Sequence, residues 1–148
     1  MAVKPIPDGY PPVTPYLIIP DVSKVIDFLK QVFGATETCR HAAPDGQVMH
    51  AEVRIGDSPI MMGPAREPSK AMPAAIYVYV TDVDATYRRA IAAGATSLMA
   101  PMDQFYGDRS GGVQDAVGNQ WWMATHVEDV SPEEMTRRHA EYAKQQQH

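Results

Sequence analysis

An internal repeat constrains the fold of this chain more than any other feature of its sequence. The segments TPYLIIPDVSKVIDFLKQVFGATE, which begins at Thr14, and AIYVYVTDVDATYRRAIAAGATSL, which begins at Ala75, follow the same plan. Each starts with a short strand pattern, reaches an Asp-Val pair, continues as an amphipathic helix and ends at Gly-Ala-Thr. Repetition on this scale is typical of one supersecondary unit that is present twice.

The two repeats predict two helices with matching ends. Apolar residues spaced three or four apart share one helix face: Val22, Val25, Ile26, Leu29 and Phe33 in the first helix, and Val83, Tyr87 and Ile91 in the second. Asp21 and Asp82 stand where a side-chain oxygen accepts from the free amides of a first turn. Gly34 and Gly94 stand where a left-handed residue ends a helix.

Three further strand patterns follow each helix, so each half reads βαβββ and the fold class is α+β. The predicted strands cover residues 36–41, 47–55 and 59–63 in the first half, and 96–100, 110–114 and 120–125 in the second. We expect one domain over residues 1–130, with modules at about 12–63 and 75–126 and a Pro-rich linker at 64–74. Residues 131–148 predict a polar helical tail on the surface.

Composition excludes several partners. The formal net charge is −5, and no basic run that could follow a phosphate backbone is present, so we expect no nucleic acid. No apolar run approaches the roughly 20 residues that cross a bilayer, and no signal-peptide pattern is present, so we expect no membrane and a cytoplasmic protein. Cys39 is the single cysteine, which fits a reducing compartment, and it is interpreted as a small strand hydrophobe.

Several separated motifs resemble one known family. PYLIIPDVSKVIDFLKQVFGA, PDGQVMHAEVRIGDSPIMM, and DQFYGDRSGG followed by ATHVEDVSPEEM are similar in order and spacing to the PhnB-like subgroup of the vicinal oxygen chelate superfamily. That superfamily includes glyoxalase I, bleomycin-resistance proteins and extradiol dioxygenases. The resemblance implies two βαβββ modules whose sheets curl into an open, barrel-like cleft, and it implies a homodimer. It does not settle function, because this fold hosts metal enzymes and pure binding proteins alike.

The resemblance also locates the position of a metal site. In metal-using members the ligands lie near the start of the first strand and in the last strand of each module. The corresponding residues here are Thr14, Met61, Ala75 and Trp122. Divalent metals in such sites take imidazole and carboxylate donors, which these four residues lack. We therefore expect no metal and no cofactor.

Strand alternation predicts what lines the cleft instead. Tyr16, Tyr77 and Tyr79 should face it, together with Met61 and Trp122, while their neighbours, Trp121 among them, pack into the core. An aromatic, thioether-lined cavity suits a flat organic ligand. The alternative is that these side chains fill the former metal pocket as core. The segment DQFYGDRS predicts a loop at the cleft edge, where Gln104, Phe105 and Arg109 could touch the ligand.

The strand QVMHAEVRIG carries the clearest alternation. His50, Glu52 and Arg54 share one side of it. If that side faces the cleft, His50 could act as general base or acid with Glu52 holding its ring, while Arg54 pairs with Glu52 or Asp57 or contacts a ligand. An exposed strand face or a dimer interface would explain the same pattern.

These residues support three functions. The first is binding of a small, planar or oxygenated organic molecule without the usual divalent metal. The second is a metal-independent isomerase, lyase or proton-transfer enzyme that uses His50 and Glu52. The third is a metal enzyme with an atypical site, for which two donors on one strand fall short of the usual three or four. The sequence leaves open whether the protein is an enzyme.

Overall fold

A computed structural model describes residues 2–147 of the chain. These residues form eight strands and three helices in the order β1 (Tyr16–Ile18), α1 (Val22–Phe33), β2 (Thr36–Ala42), β3 (Val48–Ile55), β4 (Ser58–Gly63), β5 (Ala75–Tyr79), α2 (Val83–Ala92), β6 (Thr96–Asp103), β7 (Asp108–Gln114), β8 (Gln120–His126) and α3 (Pro132–Gln145). None of the helices within this part of the chain combines the length and apolarity that a membrane crossing requires.

The chain divides into two compact units. The first unit comprises the residues up to Ala74 together with Val117–Asn119. Its four strands form one mixed sheet in the order β1-β4-β3-β2, in which β1 runs parallel to β4 and the other neighbours are antiparallel. Helix α1 packs against β2 and β3. Asp21 caps its first turn by accepting from the Lys24 amide at 3.1 Å, as the sequence predicts.

The second unit comprises Ala75–Ala116 and the chain from Gln120 onward. Its sheet has the order β5-β8-β7-β6, with β5 parallel to β8, so it repeats the topology of the first sheet. The predicted α+β class with two βαβββ repeats is confirmed. Three neighbouring strands of each sheet are consecutive in the chain, whereas β1 and β5 pair with the last strand of their own unit.

Helix α2 buries Val83 as predicted, but the rest of its buried face differs from the prediction. Val83, Thr86 and Ala90 are buried, whereas Ile91 is 40% exposed, so its predicted place on the buried face is wrong. The hydroxyl of Thr86 donates to the carbonyl of Asp82 at 3.0 Å. Because that bond satisfies its polar atom, the rest of the threonine side chain can be buried.

The segment DQFYGDRS is a tight hairpin rather than a loop. Strand β6 extends to Asp103 and β7 begins at Asp108, which leaves four connecting residues, 104–107. The backbone N–H of Gln104 donates to the carbonyl of Asp108 at 2.7 Å. Gly107 has φ +100°, a left-handed conformation that favours glycine. Both strands are longer than predicted because their pairing continues up to this turn, where Asp103 stands opposite Arg109.

Candidate functional site

The polar side of β3 is the first candidate surface and lies in the first unit. Ala51 and Val53 are fully buried, whereas His50, Glu52 and Arg54 are half-buried on the opposite side of the strand. The alternation predicted from the sequence is therefore present. Strand parity explains it, because successive side chains point to opposite faces of a sheet.

Hydrogen bonds join four side chains on this surface into a chain. His50 Nε2 lies 2.8 Å from Glu52 Oε2, and His50 Nδ1 lies 3.2 Å from the hydroxyl of Tyr16. The hydroxyl of Tyr10 donates to Glu52 Oε1. That bond, with the contact to His50, lowers the pKa of Glu52. Glu52 is therefore ionised at neutral pH and holds the imidazole ring from one side.

Arg54 anchors the N-terminal segment over this surface. Its guanidinium donates to the carbonyl of Gly9 at 2.6 Å and to the carbonyl of Asp57 at 3.2 Å, and it lies 5.4 Å from the centroid of the Tyr10 ring. The bond to Asp57 fits the structural role weighed for Arg54. The contact with Tyr10 is within range for a cation–π interaction.

The anchored segment borders a groove. Prolines of residues 5–12 form one side of it, and Tyr10, Thr14, Glu52 and Met61 complete the lining around a cavity of about 410 Å³. The groove is open to solvent and mostly apolar, and the Glu52 carboxylate is its charged group. Tyr10 could not be predicted as part of this site, because the N-terminal segment carries no periodic pattern that indicates its path.

Cys39 joins His50 and Glu52. In the β2–β3 ladder Cys39 stands directly opposite Glu52, and one donor atom from each of the three residues lies within 4.8 Å of the others. The interpretation of Cys39 as a strand hydrophobe does not include this contact. Counting equal numbers of residues outward from the turn PDGQ would have paired Cys39 with Glu52, despite the bulges in this hairpin.

Two tyrosines of β5 form the second candidate surface, which lies in the second unit. Tyr77 and Tyr79 are 45% and 63% exposed, and their rings meet edge to face at 5.3 Å between centroids. Both hydroxyls donate to Asp108 Oδ2, at 2.9 and 3.0 Å. Because their protons point to Asp108, the phenol oxygens are fixed in place and keep lone pairs for a ligand.

Asp108 is the centre of that surface. It is 4% exposed, and besides the two tyrosines it contacts His126 Nδ1 at 2.9 Å through Oδ1. Burial opposes its ionisation, but the hydrogen bonds from His126, Tyr77 and Tyr79 outweigh burial and lower the pKa of Asp108. Asp108, and Asp129 at 2.8 Å from His126 Nε2, raise the pKa of the imidazole.

Neither Asp108 nor His126, which lies at the end of the last strand, is predicted from the sequence to belong to a site. Asp108 follows Tyr77 by 31 residues and precedes His126 by 18. No local pattern links residues at these separations. Their contact depends on the pairing of β7 with β8, in which Asp108 stands opposite His126.

The two adjacent tryptophans of β8 have opposite environments. Trp121 is fully buried and donates to Asp115 Oδ2 at 2.9 Å, whereas Trp122 is half-buried beside Tyr77 in the ladder. The Trp122 ring covers Gly112: a Cβ at that position would lie 2.4 Å from Trp122 Cε3. Glycine is therefore required there for the ring to lie flat on β7.

Three residues that the sequence predicts to contact a ligand interact with other side chains in the structure. The Phe105 ring stacks on Tyr142 of α3 at 4.7 Å between centroids. Arg109 donates to both carboxylate oxygens of Asp84, at 2.8 and 3.0 Å, and reaches Asp103 at 3.3 Å. The side-chain amide nitrogen of Gln104 lies 3.9 Å from the sulfur of Met99. These contacts hold the β6–β7 hairpin against α2 and α3.

Comparisons with known proteins agree with this architecture. The family model of the glyoxalase/bleomycin resistance protein/dioxygenase superfamily matches residues 11–123. An uncharacterized protein of Mycobacterium bovis is 36% identical over 136 residues, which cover 84% of this chain and 90% of the relative. The chain therefore belongs to the glyoxalase/bleomycin resistance protein/dioxygenase superfamily.

Two solved structures share the fold. TioX from Micromonospora sp. ML1 has a TM-score of 0.68 and 28% identity, and the match covers 78% of this chain and 98% of TioX. A PhnB protein from Bacillus cereus has a TM-score of 0.64 over 78% of this chain and 99% of its own. Its identity of 16% shows the fold alone.

The positions at which metal-using members of the superfamily bind their ion do not fit a divalent metal here. Tyr16 pairs with Met61 across β1 and β4, and Tyr77 pairs with Trp122 across β5 and β8. Ala75, at the start of β5, pairs with Gln120, whose side-chain oxygen accepts from the Trp122 indole at 3.1 Å. The four positions that the resemblance assigns to the ion are Thr14, Met61, Ala75 and Trp122. They offer a hydroxyl, a thioether, a methyl group and an indole, which do not form the imidazole and carboxylate set that such metals require.

Proposed function

We propose that this protein binds a small, planar or oxygenated organic molecule without the usual divalent metal of its superfamily. The observation that carries the proposal is the pair of exposed tyrosine rings, Tyr77 and Tyr79, whose hydroxyls are held by the buried Asp108. Exposed aromatic rings offer a stacking surface, and fixing them in advance lowers the entropy lost on binding.

The chemistry of this surface defines the ligand further. An open cavity of about 550 Å³ borders Tyr79, Thr125 and His126. Because the tyrosine protons are directed at Asp108, the phenol oxygens accept hydrogen bonds from a ligand hydroxyl or N–H group. Trp122 adds an indole face on the strand next to Tyr77. A flat ring that carries hydroxyl or N–H donors fits this combination.

Further features of the proposal rest on the family resemblance. We propose a PhnB-like, cytoplasmic homodimer, with one domain over residues 1–130 and a tail over 131–148. Tyr16, Arg54 and Met61 in the first unit, and Gln104, Phe105 and Arg109 in the second, stay predicted ligand contacts. Met61 lines the groove of the first unit, which supports its role as a ligand contact.

A ligand screen tests the proposal. Thermal unfolding of the purified protein is measured against small metabolites and aromatic natural products, with and without divalent metals. A ligand raises the unfolding temperature by mass action, and we expect the increase to be the same after chelation. A flat result across the library would contradict small-molecule binding, and an increase that requires added metal would contradict metal independence.

The screen's best ligand allows a sharper test. Tyr79→Ala should weaken its affinity about 10-fold, because the variant loses one stacking face and its contact area. The matched control is Ile91→Ala on α2, which removes an apolar side chain that is 40% exposed in the same unit. The control should leave the dissociation constant unchanged in a calorimetric titration, and equal losses in both variants would point to another binding surface.

We propose proton transfer by His50 and Glu52 as a second candidate function. It is favoured by the hydrogen-bond chain that runs from Tyr16 through His50 and Glu52 to Tyr10. An ionised carboxylate on one ring nitrogen orients an imidazole for general acid or base catalysis. The reactions that fit are isomerisation, elimination and proton abstraction on a small oxygenated molecule.

Replacement of the imidazole tests this second function. If a ligand from the screen is turned over, His50→Ala should lower kcat by about 10²- to 10⁴-fold and leave the affinity nearly intact. The control is His41→Ala, because the His41 ring lies on the adjacent strand with its centroid 6.4 Å from that of His50. Unchanged turnover in His50→Ala would exclude His50 as the catalytic residue.

A further inference from the structure

We propose that Cys39, His50 and Glu52 form a binding site for a zinc-type divalent transition metal, on strands that lie outside the superfamily's usual metal positions. The three side chains come from β2 and β3, whereas the usual positions lie on the first and last strands of each module. The site belongs entirely to the first unit. It is independent of the tyrosine surface on which the proposed ligand binding rests.

The sheet geometry brings the three donors together. Cys39 stands directly opposite Glu52 in the antiparallel ladder, and His50 is two residues from Glu52 on the same side of β3. One ligand atom from each residue lies within 4.8 Å of the other two. Zinc binds such atoms at roughly 2.0–2.3 Å, so an ion between the three donors would draw them closer by side-chain rotation.

The remaining polar atoms of His50 and Glu52 are already held by the protein. His50 Nδ1 contacts the Tyr16 hydroxyl, and Glu52 Oε1 accepts from the Tyr10 hydroxyl. Metal-binding imidazoles and carboxylates characteristically have their other atoms engaged in this way, which fixes their orientation. The two atoms left facing one another are His50 Nε2 and Glu52 Oε2, 2.8 Å apart. A metal ion would displace the proton between these two atoms. The neutral imidazole would then carry its proton on Nδ1 and donate it to the Tyr16 oxygen, and the Cys39 thiol would release its proton to water.

The donor set selects the kind of metal. A thiolate, an imidazole and a carboxylate suit Zn²⁺ and Co²⁺, whereas Mg²⁺ and Ca²⁺ prefer sites made of oxygen atoms alone. Three protein donors leave a fourth tetrahedral position for water or a small ligand. All three residues are half-buried, and Glu52 also borders the solvent-open groove, so an ion can enter from water.

Metal binding and proton transfer are alternative uses of His50, because Nε2 cannot bind a metal and exchange a proton at the same time. A metal at this site would therefore replace the second candidate function. The surface of Tyr77 and Tyr79, which carries the proposed ligand binding, shares no residue with the metal donors, although Tyr16, which holds His50 Nδ1, is also a predicted ligand contact. The ligand screen and the metal titration thus fail or succeed separately.

Cobalt titration tests the site directly. Chelator-treated protein is titrated with Co²⁺ and followed by absorption in the visible and near-ultraviolet. We expect about one ion per chain, with the strong visible bands of tetrahedral Co²⁺ and a thiolate-to-cobalt band. Cys39→Ser should abolish the thiolate band and weaken Co²⁺ binding about 100-fold or more, and Tyr16→Phe should weaken it about 10-fold.

Two controls make the result specific. His41→Gln removes the neighbouring imidazole on β2 and should leave the spectrum unchanged, and circular dichroism of each metal-free variant checks that it is folded. His50→Gln should remove the tetrahedral bands. Absence of a cobalt spectrum in the unsubstituted protein, or a thiolate band that persists in Cys39→Ser, would overturn the proposal.

Discussion

Trp121→Ala should lower the free energy of unfolding by about 3–5 kcal/mol, whereas the same change at the adjacent Trp122 should lower it by only about 1 kcal/mol. Trp121 is fully buried, stands opposite Val113 in the ladder and donates its indole proton to Asp115. Truncation leaves a large cavity in the second unit and removes that hydrogen bond. Trp122 is half-buried on the other side of β8, so water can fill the space it leaves.

The pair of variants separates stability from binding. Trp122→Ala should weaken the affinity for a screened ligand about 10-fold, since the variant loses an indole face beside Tyr77. Urea unfolding followed by circular dichroism measures both stabilities, because each substitution removes part of the tryptophan fluorescence signal. Equal stability losses would contradict the assignment of Trp121 to the core and Trp122 to the exposed side.

Asp108→Asn should lower the free energy of unfolding by about 2–4 kcal/mol at neutral pH. The substitution keeps the shape of the side chain but removes the negative charge of the carboxylate. The oxygens of that carboxylate accept hydrogen bonds from Tyr77, Tyr79 and His126. An asparagine offers a single acceptor oxygen, so its NH₂ group must replace one carboxylate oxygen at this buried position. The tyrosine rings then lose their common anchor, and ligand affinity should fall as well.

The pH dependence of this difference follows from two pKa shifts. The pKa of Asp108 is lowered from 3.8 on folding, so its contribution is complete above that pH and is lost as the pH falls through the lowered value. The pKa of His126 is raised from 6.5, chiefly by Asp108, so its contribution is complete below 6.5 and is lost as the pH rises through the raised value. The stability difference between wild type and Asp108→Asn should therefore be largest between these limits.

Asp103→Asn is the matched control. Asp103 lies in the same hairpin and reaches Arg109 at 3.3 Å, but its side chain is 75% exposed. An exposed ion pair contributes little, so the control should change the free energy of unfolding by less than about 0.5 kcal/mol. Urea unfolding from acid to alkaline pH compares the two variants. A flat difference for Asp108→Asn across that range would contradict a shared hydrogen-bond network.

The sequence was sufficient to predict the order of helices and strands in each unit and the alternation of side chains along β3 and β8. Both follow from local rules: helix periodicity and capping at Asp21 and Asp82, and alternation along β3 and β8. Alternation assigned Trp121 to the core and placed His50 and Glu52 on one side of β3. The family resemblance added the topology, and the comparisons confirm membership of the superfamily.

Two features were predicted wrongly from the sequence. One is the buried face of α2, and the other is the turn between β6 and β7. Ile91 follows the spacing of a buried face, yet Thr86 and Ala90 are buried instead. Periodicity gives the angle between residues but not the rotation of the helix on its sheet. The β6–β7 turn was interpreted as a loop because DQFYGDRS carries polar and aromatic residues in no regular order.

The convergence of side chains from distant parts of the chain was decided by tertiary structure, and only the pairing of Cys39 with Glu52 could have been counted outward from a turn. Tyr10 reaches Glu52 across 42 residues because Arg54 ties down the segment before it. Cys39 meets Glu52 because the β2–β3 register, set by a turn and two bulges, brings them opposite one another. Asp108 gathers two tyrosines from β5 and a histidine from β8. Sequence spacing fixes which way a side chain points, but the distance between strands far apart in the chain depends on how the whole sheet is assembled.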